Sequence, residues 1–215
     1  MKYLFYILGI LILTLGISFT IQSSLGTSPF DALLVGLSTN VGLTVGSWEI
    51  ILALILICFN SILKRQRPEI LGMLTAFITG IGIDMWLFLL QDLITPEQWY
   101  SKVVCFGIGL VVIGIGTATY LHTNFAPIPI DRLTLIIQEL TRTNLFFART
   151  LIYLVFLIMA IILNGPIGIG TLLTVCLAGL ILNYFMPFTK KVLDRILTNP
   201  SSTSLNLGKD KNRTI

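Results

Sequence analysis

Two carboxylates stand out by where they fall. Asp31 closes Ser28-Pro29-Phe30-Asp31 and Asp131 closes Ile128-Pro129-Ile130-Asp131, each opening an apolar run, 100 residues apart in a chain of 215. Proline suits the first turn of a helix, because its ring fixes φ and its missing N–H would be unpaired there anyway. An aspartate two residues later sits where the positive end of the helix dipole favours a carboxylate. In a very apolar chain such a group can cap its helix or hold a cation or solute. Ser28 and Asp31 have the spacing of a capping box. Asp131 has Ile128 in place of the serine, so its cap is weaker, and Arg132 offers a neighbouring charge.

Other polar residues fall inside apolar segments. Asp84 follows Gly72, Ala76 and Gly80 at four-residue intervals, on one helix face. Small residues at that spacing admit a neighbouring helix, so Asp84 is expected inside a bundle. Asn183 follows Gly179 as Asp84 follows Gly80. Glu49 and Arg149, also 100 apart, carry opposite charges and are expected either to pair or to face the membrane interface. Gln22 and His122 correspond within polar breaks. Asp31, Asp131, Asp84, Asn183, Gln22, His122, Glu49, Arg149 and Arg132 form the candidate substrate- or ion-binding set. A single histidine and scattered carboxylates make no metal-ligand cluster. No Ser/His/Asp order and no phosphate loop is present, so no enzyme activity, metal or cofactor is expected.

The elements that must position these residues are membrane spans. Hydrophobic residues make up 55% of the chain and charged residues 11%, with a mean hydropathy of +0.92. Soluble domains carry about twice that charge. The net charge of +4 collects at span ends, as the cytoplasmic-loop bias predicts, and calls for no nucleic acid. Cys58, Cys105 and Cys176 fall in apolar spans without paired spacing and read as small core residues.

The predicted order is a span from Tyr3 to Thr20, a polar break at 22–27, and a short helix from Pro29. A second break at 40–47 leads to a span ending at Leu63 and to Lys64-Arg65-Gln66-Arg67, followed by a span over 70–90. After an acidic loop at 91–101 the plan repeats: a span over 103–120, a break at His122-Thr123-Asn124, the second short helix, and two spans within the 40 uncharged residues 150–189. The reading is an all-α polytopic membrane protein with an internal duplication: residues 1–92 and 102–189 as two repeats, and 190–215 as a disordered polar cytoplasmic tail.

Charge chooses the topology. If both short helices crossed, Lys2, the 64–67 cluster and Lys190-Lys191 would fall on alternating sides. If each returns to its own side, all of these and Arg142 share one side and the acidic loop takes the other, as the positive-inside rule requires. The expectation is six transmembrane helices, two short re-entrant helices, both termini cytoplasmic, and repeats inserted in opposite orientations. Such inverted repeats with broken helices are a transporter architecture. The leading functional expectation is therefore a small-solute transporter or channel with its site between the two helix starts. The alternative is a non-transporting scaffold or accessory protein for a partner. Expected partners are the lipid bilayer, a small solute or ion, and a second copy of the chain through glycine-rich helix faces.

The glycine-spaced first span, the segment Gly26-Thr27-Ser28-Pro29-Phe30-Asp31 and its second-half counterpart resemble the YczE/YyaS/YitT-type bacterial integral membrane proteins over residues 3–190. The resemblance implies a multi-pass protein of the bacterial plasma membrane, from a family without an established biochemical activity. It carries over no catalytic or binding residue.

Overall fold

The computed structural model describes residues 2–123 and 125–197. They form eight helices and no strand: α1 Lys2–Gln22, α2 Pro29–Val41, α3 Val45–Lys64, α4 Ile70–Leu90, α5 Trp99–His122, α6 Pro129–Thr141, α7 Leu145–Ile162 and α8 Ile169–Leu197. α1, α3, α4 and α5 are each long and apolar enough to cross a membrane. α7 carries a shorter apolar stretch, Phe146–Ile162. α2 and α6 have 13 residues each, both with proline in the first turn, and at about 1.5 Å per residue neither reaches across hydrocarbon about 30 Å thick. α8 continues past the expected boundary at 189 to Leu197, with Pro187 inside it; residues 198–215 lie outside the described residues.

The surface confirms the class. Large apolar side chains point outward, among them Ile62, Ile70, Phe88 and Phe188, while Thr14, Ser18, Thr75 and Thr79 are buried. The buried hydroxyls donate back to carbonyls of their own helices, Ser18 to Thr14 at 3.0 Å and Thr79 to Thr75 at 2.8 Å, which removes the cost of enclosing them. This is a helical membrane protein. Of the three cysteines only Cys105 is buried. Cys58 and Cys176 are exposed, because the outer face of such a protein is as apolar as its core.

The central seam joins α1 to α5. A Cβ added at Gly9 would lie 2.6 Å from the Tyr120 nitrogen, at Gly16 2.6 Å from that of Ile113, at Gly109 3.0 Å from that of Thr20, and at Gly116 2.3 Å from that of Leu13. Only hydrogen fits in these places. The residue numbers in each contact add to 129, so the two helices run antiparallel. α4 packs on α1, and α8 on α5. The stripe Gly72, Ala76, Gly80 and Asp84 faces α3: Gly80 lies against Gly46, and Gly72 reaches Ile57.

Each short helix packs on the other half of the chain, α2 on α7 and α6 on α3. α2 runs past the turn after α7: Thr27 N–H donates to the Pro166 carbonyl at 3.4 Å, and Asn40 Nδ2 to that of Leu163 at 2.6 Å. α6 runs past the turn after α3. Arg132 pairs with Glu69, Glu139 with Lys64 at 2.7 Å, and Asn60 Nδ2 donates to the Pro129 carbonyl at 3.1 Å. Gly26, with φ of 101°, turns the chain into α2 where a Cβ would meet Gly168 and Thr171, a place that demands glycine on both counts. One apolar cluster gathers Phe30, Leu33, Leu56, Leu133 and Phe156, and a second gathers Tyr6, Ile10, Ile83, Tyr120 and Ile128.

Candidate functional site

Between these clusters lies a cavity of about 120 Å³ that takes wall residues from all eight helices. Four of the nine residues singled out from the sequence meet there: Asp31, Glu49, Asp131 and Arg149. Counterparts 100 residues apart share the wall, Leu13 with Ile113, Ile17 with Thr117, Asp31 with Asp131, and Glu49 with Arg149.

The two aspartates are held differently. Ser28 Oγ accepts the Asp31 N–H at 3.1 Å and donates to Asp31 Oδ2 at 2.5 Å, and the Thr27 hydroxyl donates to the same oxygen at 3.5 Å. Asp31 thus belongs to a helix cap and to the cavity wall at once. α6 has no side-chain cap. Instead the Tyr120 hydroxyl donates to Asp131 Oδ2 at 2.5 Å, and the Arg149 guanidinium donates to Oδ1 at 3.0 Å. Arg149 also lies over the Tyr153 ring, 5.7 Å from its centroid, where a cation is attracted by the π face.

Glu49 and Arg149 do not form the pair that their opposite charges suggest. Arg149 turns to Asp131, since α7 packs on the first turn of α6, and Glu49 stands with Asp31 in the other half. Glu49 is also no interface residue, being 2% exposed. The cavity therefore holds three carboxyl groups and one guanidinium.

The remaining candidates lie elsewhere. Arg132 pairs with Glu69, beside the turn after α3, and not with Asp131. Gln22 and His122 end α1 and α5 without lining the cavity. The side chain of Asn183 falls outside the described residues. Asp84 is only half-buried, at the contact of α4 with α3 and away from the cavity: Oδ1 accepts the Gly46 N–H at 2.7 Å and Oδ2 the Thr44 hydroxyl at 2.6 Å, at the start of α3. A carboxylate suits a helix N-terminus, so Asp84 caps the start of α3. Asp84→Ala is expected to lower stability by about 2 kcal/mol, seen in thermal unfolding, without changing ligand access to the cavity. Unchanged unfolding would refute the capping role.

Sequence reasoning missed Tyr120, Tyr153, Thr79 and Thr174, all in the wall. Tyr153 had a signal, since it lies four residues after Arg149 and so on the same helix face. The others look like any polar residue in a span.

Residues 1–187 match the model of DUF6198, described as a family of unknown function. The chain is 62% identical to the uncharacterized protein YyaS of Bacillus subtilis, over 89% of this chain and 95% of that one. It is 36% identical to the uncharacterized membrane protein YczE of the same organism, over 90% of this chain and 89% of that one. An uncharacterized protein of Haemophilus influenzae is 23% identical over 81% of this chain and 78% of its own. No solved structure matches the chain.

Proposed function

Since the chain belongs to the DUF6198 family, whose function is unknown, we propose an activity from the site itself: a small-solute transporter or channel of the bacterial plasma membrane, with its pathway through the cavity between the starts of α2 and α6. The observation that carries this reading is the cavity, polar at two helix starts and walled by every helix. Ionisable residues within a membrane bundle are rare and costly, and mark solute and ion pathways and proton relays.

The architecture we propose with it is two inverted repeats, six crossings and two re-entrant helices. Exchange contacts support it. Shifting one residue of a seam contact by 100 and the other by −100 turns Gly9–Tyr120 into Gly109–Thr20, and Gly16–Ile113 into Gly116–Leu13, as a twofold axis in the membrane plane would do. The short helices support it too, because first-turn Arg132 and last-turn Glu139 of α6 both bond to the residues flanking one turn, Glu69 and Lys64. With both termini cytoplasmic, reporter fusions after residue 67 should read cytoplasm and fusions after 95 outside. An outside signal at 67 would overturn the arrangement.

The activity is tested by water access. In a cysteine-free background, with Cys58, Cys105 and Cys176 replaced, a single cysteine at Thr79 should react in intact membranes with small, charged, water-borne thiol reagents. Thr79 is 2% exposed and faces the cavity, so labelling requires an aqueous path. A cysteine there that stays unlabelled from both sides would mean a dry interior, and would favour the scaffold reading.

A further inference from the structure

Glu49 has no hydrogen-bond or ion-pair partner among the described residues. It is 2% exposed and lines the cavity, where the Asp31 carboxyl shares the same wall. Across the cavity its counterpart Arg149 bonds to Asp131 and lies over the Tyr153 ring, and no cation among the described residues pairs with Glu49. A buried carboxyl that no described donor reaches suits an occupant that brings hydrogen-bond donors or positive charge.

The walls narrow the choice. A divalent metal wants six or more oxygen ligands, and no cluster of three ligating side chains exists among the described residues. Away from the carboxyls the surface is aliphatic and aromatic, with Ile17, Phe30 and Ile83. An occupant with a cationic, donor-rich head and an apolar body matches both parts. Size limits it further. A dry cavity of about 150 Å³ takes up benzene, so 120 Å³ admits a solute of about five or six non-hydrogen atoms.

We propose that the cavity binds a small organic ammonium ion, its head between Glu49 and Asp31 and its hydrocarbon part against the aliphatic wall. This rests on the transport reading above, since it names the solute class for that same site.

The test uses the full-length protein in lipid nanodiscs, with empty nanodiscs as the blank, and calorimetric titration of n-butylammonium, 1-butanol and potassium ions at matched ionic strength. Saturable binding of n-butylammonium is expected, at least tenfold tighter than that of either control. It should weaken at least tenfold in Glu49→Gln, whose neutral amide keeps the shape and removes the charge, and it should protect a cysteine at Thr79 from labelling. Asp31→Asn serves as the second variant should Glu49→Gln fail to fold. Equal binding of 1-butanol or potassium, undiminished binding in the folded variant, or no saturable binding would each overturn the proposal. The two readings fail separately: a labelled cysteine at Thr79 without butylammonium binding removes the ammonium site alone, whereas an unlabelled one removes the pathway as well.

Discussion

Arg149→Met is expected to destabilise the protein by about 3 kcal/mol, at the low end for breaking an enclosed ion pair by removing one partner. The low end applies because both side chains keep about a quarter of their surface open to the cavity, 28% for Arg149 and 23% for Asp131. The loss arises less from the missing contact than from what remains, an Asp131 carboxylate with only the Tyr120 hydroxyl to hold it. A second change should therefore repair the first. In Arg149→Met/Asp131→Asn no charge is left alone, and most of the lost stability should return, since paired residues are strongly non-additive. Thermal unfolding of the two single variants and the double variant closes the cycle. A double variant no more stable than Arg149→Met would show that the two residues act independently, and the ion pair would then hold nothing in place. Arg149→Lys should fall between, because an ammonium lacks the planar face that lies over Tyr153.

Gly116→Val is expected to cost at least as much. A Cβ at this position meets the backbone of Leu13 at 2.3 Å and 2.6 Å, and backbone cannot rotate away as a side-chain end can. α1 and α5 must then part, and overpacking costs up to about 3 kcal/mol in cores that adjust through side chains, more where backbone must move. Because Leu13 and Ile113 also line the cavity, the damage should appear at the site as well, as altered labelling of a cysteine at Thr79. Gly107 is the control on the same helix: a Cβ there meets nothing within 4 Å, so Gly107→Val should leave the protein intact. Equal unfolding temperatures for the two variants would show that close approach along the seam is not what holds α1 to α5. The glycines of this seam lie inside one chain, so a homodimer would have to use other surface.

Much of this arrangement is visible in the amino-acid sequence. The two prolines mark the first turns of α2 and α6, the polar breaks on either side set their lengths, and the four-residue spacing of Gly72, Ala76 and Gly80 identifies the face of α4 that meets another helix. What stays hidden is which neighbour each face meets. Glu49 and Arg149 are equally eligible partners by spacing and charge, and only the packing of α7 on α6 gives Arg149 to Asp131. Asp84 has the sequence marks of a pathway residue and turns out to hold the start of α3, because a capping contact 38 residues away in sequence leaves no local trace. Tyr120 is invisible for a different reason. Its ring belongs to an apolar cluster while its hydroxyl reaches a carboxylate, and the residue type alone announces only the first. The Cys58 and Cys176 surfaces teach the same point from outside: hydropathy cannot separate core from lipid-facing positions when both are apolar.

In the proposed arrangement, the imbalance of one guanidinium against three carboxyl groups would lie within the electric field of the membrane. A unit charge crossing that field changes in energy by about 2.3 kcal/mol per 100 mV, roughly a fiftyfold concentration ratio at equilibrium. The Arg149–Asp131 pair is neutral as a unit and feels no net pull. A monovalent cation passing through a site at Glu49 and Asp31 would feel the whole of it over a full crossing. With the inside negative, voltage alone would draw such a cation toward the cytoplasm, and a solute gradient would have to exceed that ratio to drive it out.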